Sequence, residues 1–182
     1  LRLKVNASKS AVAPVWERKF LGHRLLPGGK LGIAPDSLSR MQERVRSLTR
    51  RNRGQSLQIV VKQLNEYLTG WVTYYRYAAA KNHLVKLDEW IRRKLRCYRL
   101  KQRKKNRSIA NWLIELGVPK ERAWTTARSP KGWWCLSKTP AVHEAMNQEW
   151  FKALGIVNLT QRYLAVQTFT KTAGCDNARP VV

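Results

Sequence analysis

Apolar and charged positions alternate only at the start of the chain. Leu1, Leu3 and Val5 are separated by Arg2 and Lys4, the two-residue period of a half-buried strand. A second apolar run, Ser10 to Val15, is broken by Pro14. A third covers Arg18 to Leu26 and is followed by Pro27-Gly28-Gly29-Lys30 and then Leu31-Gly32-Ile33, which together form a hairpin signal. So few strands, all within residues 1–35, cannot build a core of their own. They read as the edge of a larger sheet.

From Asp36 the spacing becomes helical. Asp36 or Ser37 is placed to cap a helix with Leu38, Met41, Val45 and Leu48 on one stripe, ended by Asn52-Arg53-Gly54. Ser56 is placed to cap the next, which carries Leu57, Val60, Val61, Leu64, Leu68, Trp71 and Tyr75 on one face and a weakening Gly70 inside. Asn82 opens a third through Leu84, Leu87, Ile91, Leu95 and Tyr98. Three amphipathic helices with short links predict a small antiparallel bundle over residues 36–106.

Residues 107–166 read as a second, smaller helical unit. Ile109–Leu116 is a short helix stopped by Gly117 and Pro119, and Glu121–Ala127 adds a turn or two. The turn Ser129-Pro130-Lys131-Gly132 leads into Trp133–Leu136, expected as a short extended segment. Thr139-Pro140 starts a helix that Gly155 closes, with Ala145, Met146, Trp150 and Leu154 on its buried stripe. Residues 167–182 lose periodicity and read as a disordered tail.

Charge changes the picture more than size does. The 182 residues hold 36 Lys plus Arg against 11 Asp plus Glu, a formal net charge of +25. Such an excess repels itself unless a polyanion neutralises it. A hydrophobic share of 43% with eight tryptophans excludes a wholly disordered basic tail. No apolar stretch approaches the roughly 20 residues that span a bilayer. An anionic membrane surface and a nucleic acid both fit the charge. The interleaved Trp and Tyr favour nucleic acid over a membrane partner, since rings stack on bases while cations hold phosphates.

The cations fall in two places. Arg40, Arg44, Arg46, Arg50 and Arg51 line the outer face of the first helix. Ten more fill residues 92–107 with no acid among them: Arg92, Arg93, Lys94, Arg96, Arg99, Lys101, Arg103, Lys104, Lys105 and Arg107. Solvated helix faces mix both signs, so this one-signed block reads as a phosphate-binding surface. Trp71, Tyr74, Tyr75, Trp133 and Trp134 are stacking candidates, although Trp71 and Tyr75 continue a buried stripe. In an extended segment Trp133 and Trp134 face opposite sides, one inward and the other free for contact.

Catalytic and metal-binding patterns are incomplete in this sequence. His143-Glu144 starts like H-E-x-x-H, but Asn147 takes the second ligand position. Asp36, Asp88 and Asp176 are far apart, which leaves no convergent carboxylate set for two metal ions. Cys97, Cys135 and Cys175 form no C-x-x-C pair; Cys97 and Cys135 read as buried thiols in a reducing cytosol.

Three stretches resemble the C-terminal half of group II intron-encoded reverse transcriptase/maturase proteins. Leu1–Ser10 followed by Lys19-Phe20-Leu21-Gly22 is similar to the last two blocks of the palm, the second being the primer-grip region. Leu64–Arg76 and then Leu87–Arg96 are similar to the maturase-specific region that begins in the thumb. Ser129–Trp134 through Trp150, Phe151, Leu154 and Gly155 to Leu159-Thr160 is similar to the distal DNA-binding region. The resemblance implies a mainly α fold: a short β remnant of the palm, a three-helix thumb bundle and a small helical distal domain. It implies binding to group II intron RNA, target DNA as a further partner, help with splicing and retromobility, and a place in a bacterial cytoplasm or an organelle. Phe20, Leu21 and Gly22 would be primer-grip residues, and Lys9 matches a palm lysine that assists pyrophosphate departure. The family's metal-binding aspartates precede the matched part, so no cofactor is expected in this chain and Mg²⁺ only with the palm. No Cys/His-rich nuclease segment follows the distal region, so target-strand cleavage is not expected. The alternatives are an active polymerase whose palm lies upstream and a generic basic DNA- or RNA-binding module.

Overall fold

A computed structural model describes the backbone of residues 14–175 and the side chains of residues 14–168. The strand expected at Leu1–Val5, most of the Ser10–Val15 run, Lys9 and Asp176 lie outside the described residues. Among the described residues, nine α-helices follow one small antiparallel sheet, the mainly α architecture that the change of period predicts.

The sheet has strands β1 (Lys19–Phe20), β2 (His23–Leu25) and β3 (Leu31–Ile33) in that order. Leu21 and Gly22 join β1 to β2 with φ of 48° and 76°. Two left-handed residues make the turn whose twist suits a two-residue hairpin. Glycine is required at position 22, because a Cβ there would lie 2.5 Å from Tyr75 Oη and 2.8 Å from Ser37 Oγ. The expected Pro-Gly-Gly hairpin is present: Pro27–Gly29 forms one 3-10 turn, and Leu25 faces Leu31 across it.

The helices are α1 (Pro35–Leu48), α2 (Leu57–Tyr74), α3 (Lys81–Arg103), α4 (Asn106–Glu115), α5 (Lys120–Arg128), α6 (Trp133–Leu136), α7 (Pro140–Ala145), α8 (Gln148–Ala153) and α9 (Leu159–Cys175). Ser56 caps α2 as expected, its hydroxyl accepting from the Ile59 amide at 3.3 Å. Gly117, at φ 90°, ends α4: its amide reaches the Ile114 carbonyl, and the Val118 amide reaches that of Leu113.

Five local expectations are corrected. Neither Asp36 nor Ser37 caps α1. Pro35 takes the first helical position, Asp36 pairs with Lys19, and Ser37 is buried against the hairpin. Trp133–Leu136 is a helical turn rather than an extended segment, closed by bonds from the Leu136 amide to Gly132 and from the Ser137 amide to Trp133. The helix expected over 140–154 breaks in two, because the Asn147 side chain accepts from the Trp150 amide at 2.9 Å and starts α8 afresh. Residues 167–175, read as part of a disordered tail, continue α9. Cys97 is buried as expected, but Cys135 is exposed on α6.

The core runs without a break from Ile33 to Tyr163. Short links make α1, α2 and α3 neighbours, and α9 returns to pack on both α2 and α3. Leu64, Leu68, Leu84, Ile91 and Leu95 are fully buried there. Each such side chain contributes about 1.5–3 kcal/mol relative to exposure. Helices α4, α5 and α7 pack on one another, and α4 and α6 also pack on α3.

Candidate nucleic-acid interface

The C-terminal half of α3 explains where the basic block goes. Four consecutive residues, Leu95 to Tyr98, are buried. At 100° per residue they cover most of the helix circumference, so α3 is enclosed on nearly every side. Cations on such a helix must thread between its neighbours, and several of them do.

Arg96 is 8% exposed, and its Nε and Nη2 donate to the Met146 carbonyl at 3.3 and 2.9 Å. It thus satisfies a carbonyl just past the end of α7, a position favourable for a cation. Its guanidinium also lies 5.2 Å from the Phe151 ring. Burial, with Arg92 nearby, pushes Arg96 down to about 10. Arg99 and Arg103 stand one helical turn apart, 5.4 and 5.2 Å from the Trp112 ring. These three cations hold α3 to the distal helices, which the reading of the block as one surface did not anticipate.

Arg93 lies over Trp134, 3.6 Å from the ring centroid, and its Nη2 donates to the Trp134 carbonyl at 2.9 Å. Trp134 is 38% exposed and Trp133 half-buried against the core. One faces outward and one inward, as expected, but on a helical turn. Lys94 lies 5.1 Å from Trp134 and 5.5 Å from Trp90, and Arg46 of α1 lies 5.6 Å from Trp90. Arg46, Trp90, Lys94, Trp134 and Arg93 therefore form a ladder of cations and rings across α1, α3 and α6. Burial pushes the Lys94 ammonium below its ordinary value, and repulsion from Arg46, Arg51 and Arg93 pushes it further.

Arg40, Arg44, Arg50 and Arg51 of α1 and the loop after it are exposed. Lys101, Lys104, Lys105 and Arg107 are exposed at the α3–α4 turn, where Lys104 has φ 58°. Arg92 is half-buried. Among the described residues the ion pairs are Lys19–Asp36 and Arg122–Glu144. None of the cations of α2, α3 or the α3–α4 turn, and none of those on α1, belongs to either.

The primer-grip-like residues sit elsewhere, at the tip of the hairpin. Phe20 and Leu21 are 78% and 68% exposed. The Tyr74 hydroxyl donates to the Leu21 carbonyl at 2.7 Å, and Ser37 Oγ donates to that of Gly22 at 3.2 Å. His23 packs against Tyr74 and Tyr75, with centroids 5.5 and 4.9 Å away. Tyr75 and Trp71 thus serve packing, while Tyr74 pins the turn.

Two polar residues beside buried stripes join the two helical regions, a role that periodicity alone does not reveal. Asp88 of α3 is buried and accepts from the Leu159 amide (2.9 Å), the Thr160 amide (3.0 Å) and the Thr160 hydroxyl (2.8 Å), capping α9. Asn65 of α2 donates to the Gly155 carbonyl and accepts from the Val157 amide. Their signal was present in the stretches Leu64–Arg76 and Leu87–Arg96, each of which places a short polar side chain beside a buried stripe.

These same stretches lie inside a region that matches a family model. Residues 38–114 match the group II intron, maturase-specific domain. No curated protein matches the chain. The matched stretch begins in α1 and ends in α4, so it contains Arg46, Trp90, Arg93 and Lys94 of the ladder and stops short of Trp134. The match supports a group II intron maturase role. The distal α5–α9 segment is outside the matched residues but is held to them by Asn65, Asp88 and Arg96. Among the described residues no cluster of His, Cys, Asp or Glu is arranged to hold a metal, and no helix is long and apolar enough to cross a membrane.

Proposed function

We propose that the chain binds group II intron RNA as the RNA-contacting C-terminal portion of a maturase, assisting splicing and retromobility, with target DNA as a second polyanion. The observation that carries this is the maturase-specific match at residues 38–114, which coincides with the helices that gather the unpaired cations. Phosphate contacts from Arg44, Arg50, Arg51, Lys101, Lys104, Lys105 and Arg107 would supply most of the affinity, and contacts near Trp134 its register. A ligand shifts an equilibrium only by its differential affinity for two states. Splicing assistance therefore requires tighter binding to the folded intron than to the unfolded one, and no chemistry by the protein.

In this reading the chain binds rather than catalyses. The side chain of Asp36 faces Lys19, and both oxygens of Asp88 face the start of α9, so the two carboxylates do not converge. Mg²⁺ would act only with a palm that carries its own carboxylates. The protein would work where its intron is transcribed, in a bacterial cytoplasm or an organelle. The test pairs RNA binding on a group II intron and an unrelated RNA of equal length with primer extension in Mg²⁺. Preference for the intron at physiological salt, without nucleotide incorporation, is the expected result. Equal affinity for the two RNAs would leave a generic basic module.

A further inference from the structure

A cleft of about 630 Å³ opens between α3 and the α6–α8 segment. That volume falls among small-ligand sites, roughly 300–1,000 Å³. Its α3 wall carries Lys86, Trp90 and Arg92, and its opposite wall carries Lys138, His143 and Gln148. Glu89 is the one carboxylate that lines it. Arg93 and Arg96 also line the cleft, but their guanidinium groups are already committed to Trp134, Ser137 and Met146. Lys86, Arg92 and Lys138 have no ion-pair partner among the described residues.

The lining therefore combines three kinds of group: cations for a phosphate, the Trp90 indole for a base face, and the Gln148 amide for a base edge. Unpaired bases are recognised by this set, since they can leave the stack and present both face and edge. A duplex cannot enter, because its bases are paired and stacked. His143 Nε2 lies 3.5 Å from Arg96 Nη1, so this imidazole is already partnered within the protein and Gln148 is left as the edge partner.

From this geometry we infer that the α3/α6–α8 cleft takes one unpaired nucleotide of a bound single-stranded RNA segment, with its base against Trp90 and its phosphate between Arg92 and Lys138. The inference rests on the nucleic-acid-binding reading above and assigns its substrate class: single-stranded rather than duplex segments.

The experiment uses the full chain and three probes at matched salt: a labelled oligouridylate of about twelve nucleotides, an RNA duplex of the same length, and free UMP as competitor. The wild-type chain should bind the single strand about tenfold more tightly than the duplex. Trp90→Leu should remove most of that difference and leave duplex affinity within about twofold. Because Trp90 is half-buried, exposed Lys138→Gln serves as the second variant. It should flatten the single-strand salt slope by about 0.7 and leave the duplex slope unchanged. Equal affinity for strand and duplex, or equal losses on both, would overturn the pocket and leave the nucleic-acid reading standing. Displacement of the strand by UMP at comparable concentration would assign the cleft to a free nucleotide and likewise overturn it. Failure of the wild-type chain to bind either RNA would overturn the nucleic-acid reading itself.

Discussion

The Asp88 carboxylate accepts a hydrogen bond from the Leu159 amide at 2.9 Å, so a residue of α3 caps a helix that begins 71 positions later in the chain. With the Thr160 amide and hydroxyl added, the buried carboxylate has three donors, all at the positive end of α9. Helix α9 packs on α2 and α3. The cap therefore fixes the last helix onto the core formed by α2 and α3.

Removing that cap should be costly. Asp88→Ala leaves two amides buried without an acceptor, and each such group costs about 1–3 kcal/mol. Thr160→Ala removes one hydroxyl donor only and should cost about 1 kcal/mol. Urea unfolding of both variants checks the order. Equal, small effects would show that α9 does not depend on Asp88.

Gly22→Ala should destabilise the docking of the hairpin on α1 and α2. The left-handed φ and the approach to Tyr75 and Ser37 both oppose a Cβ, and we expect a loss of about 2 kcal/mol or more. Gly28→Ala, at φ 75° with open space around it, should cost only the backbone strain, about 1 kcal/mol. Thermal unfolding of the two variants separates close approach from strain.

Stability should fall on acidification through the imidazole range, and His143 should carry part of the fall. Burial and Arg96 lower its folded value beneath the unfolded 6.5. Between those two values the unfolded chain binds more protons, so stability rises with pH across this window and drops as pH falls through it. Below the folded value the contribution is lost entirely. His143→Gln should flatten the dependence of the urea midpoint between about pH 5 and 7. An unchanged profile would exclude His143 as its source.

RNA affinity should follow the exposed cations rather than the whole basic block. Replacing Lys101, Lys104, Lys105 and Arg107 by Gln should flatten the salt slope by about 3 on single-stranded RNA, at about 0.7 per phosphate contact. Arg96→Gln should instead lower the thermal midpoint, because it breaks the contacts to Met146 and Phe151. A slope unaffected by the four-residue variant would show that the α3–α4 turn does not meet phosphate.

Periodicity and charge determined much of this protein without any structure. The alternation to 3.6-residue switch at Asp36, the Pro-Gly-Gly hairpin, the Ser56 cap and the buried stripes of α1 to α3 are local features, and local spacing reports them well. The stretches Leu64–Arg76 and Leu87–Arg96 pointed to the maturase-specific domain for the same reason: their residues lie close together in the chain. Tertiary structure decided how the polar and charged groups are used. Arg93, Arg96, Arg99 and Arg103 belong to one run in the sequence, yet their partners Trp134, Met146 and Trp112 come from elsewhere. Helix α9 has no apolar stripe that announces it, and Asp88 and the faces of α2 and α3 supply what its own residues do not. A contact across 71 positions leaves no periodic trace. Only the packing of helices shows which cations are bound within the fold and which remain free to meet an anion.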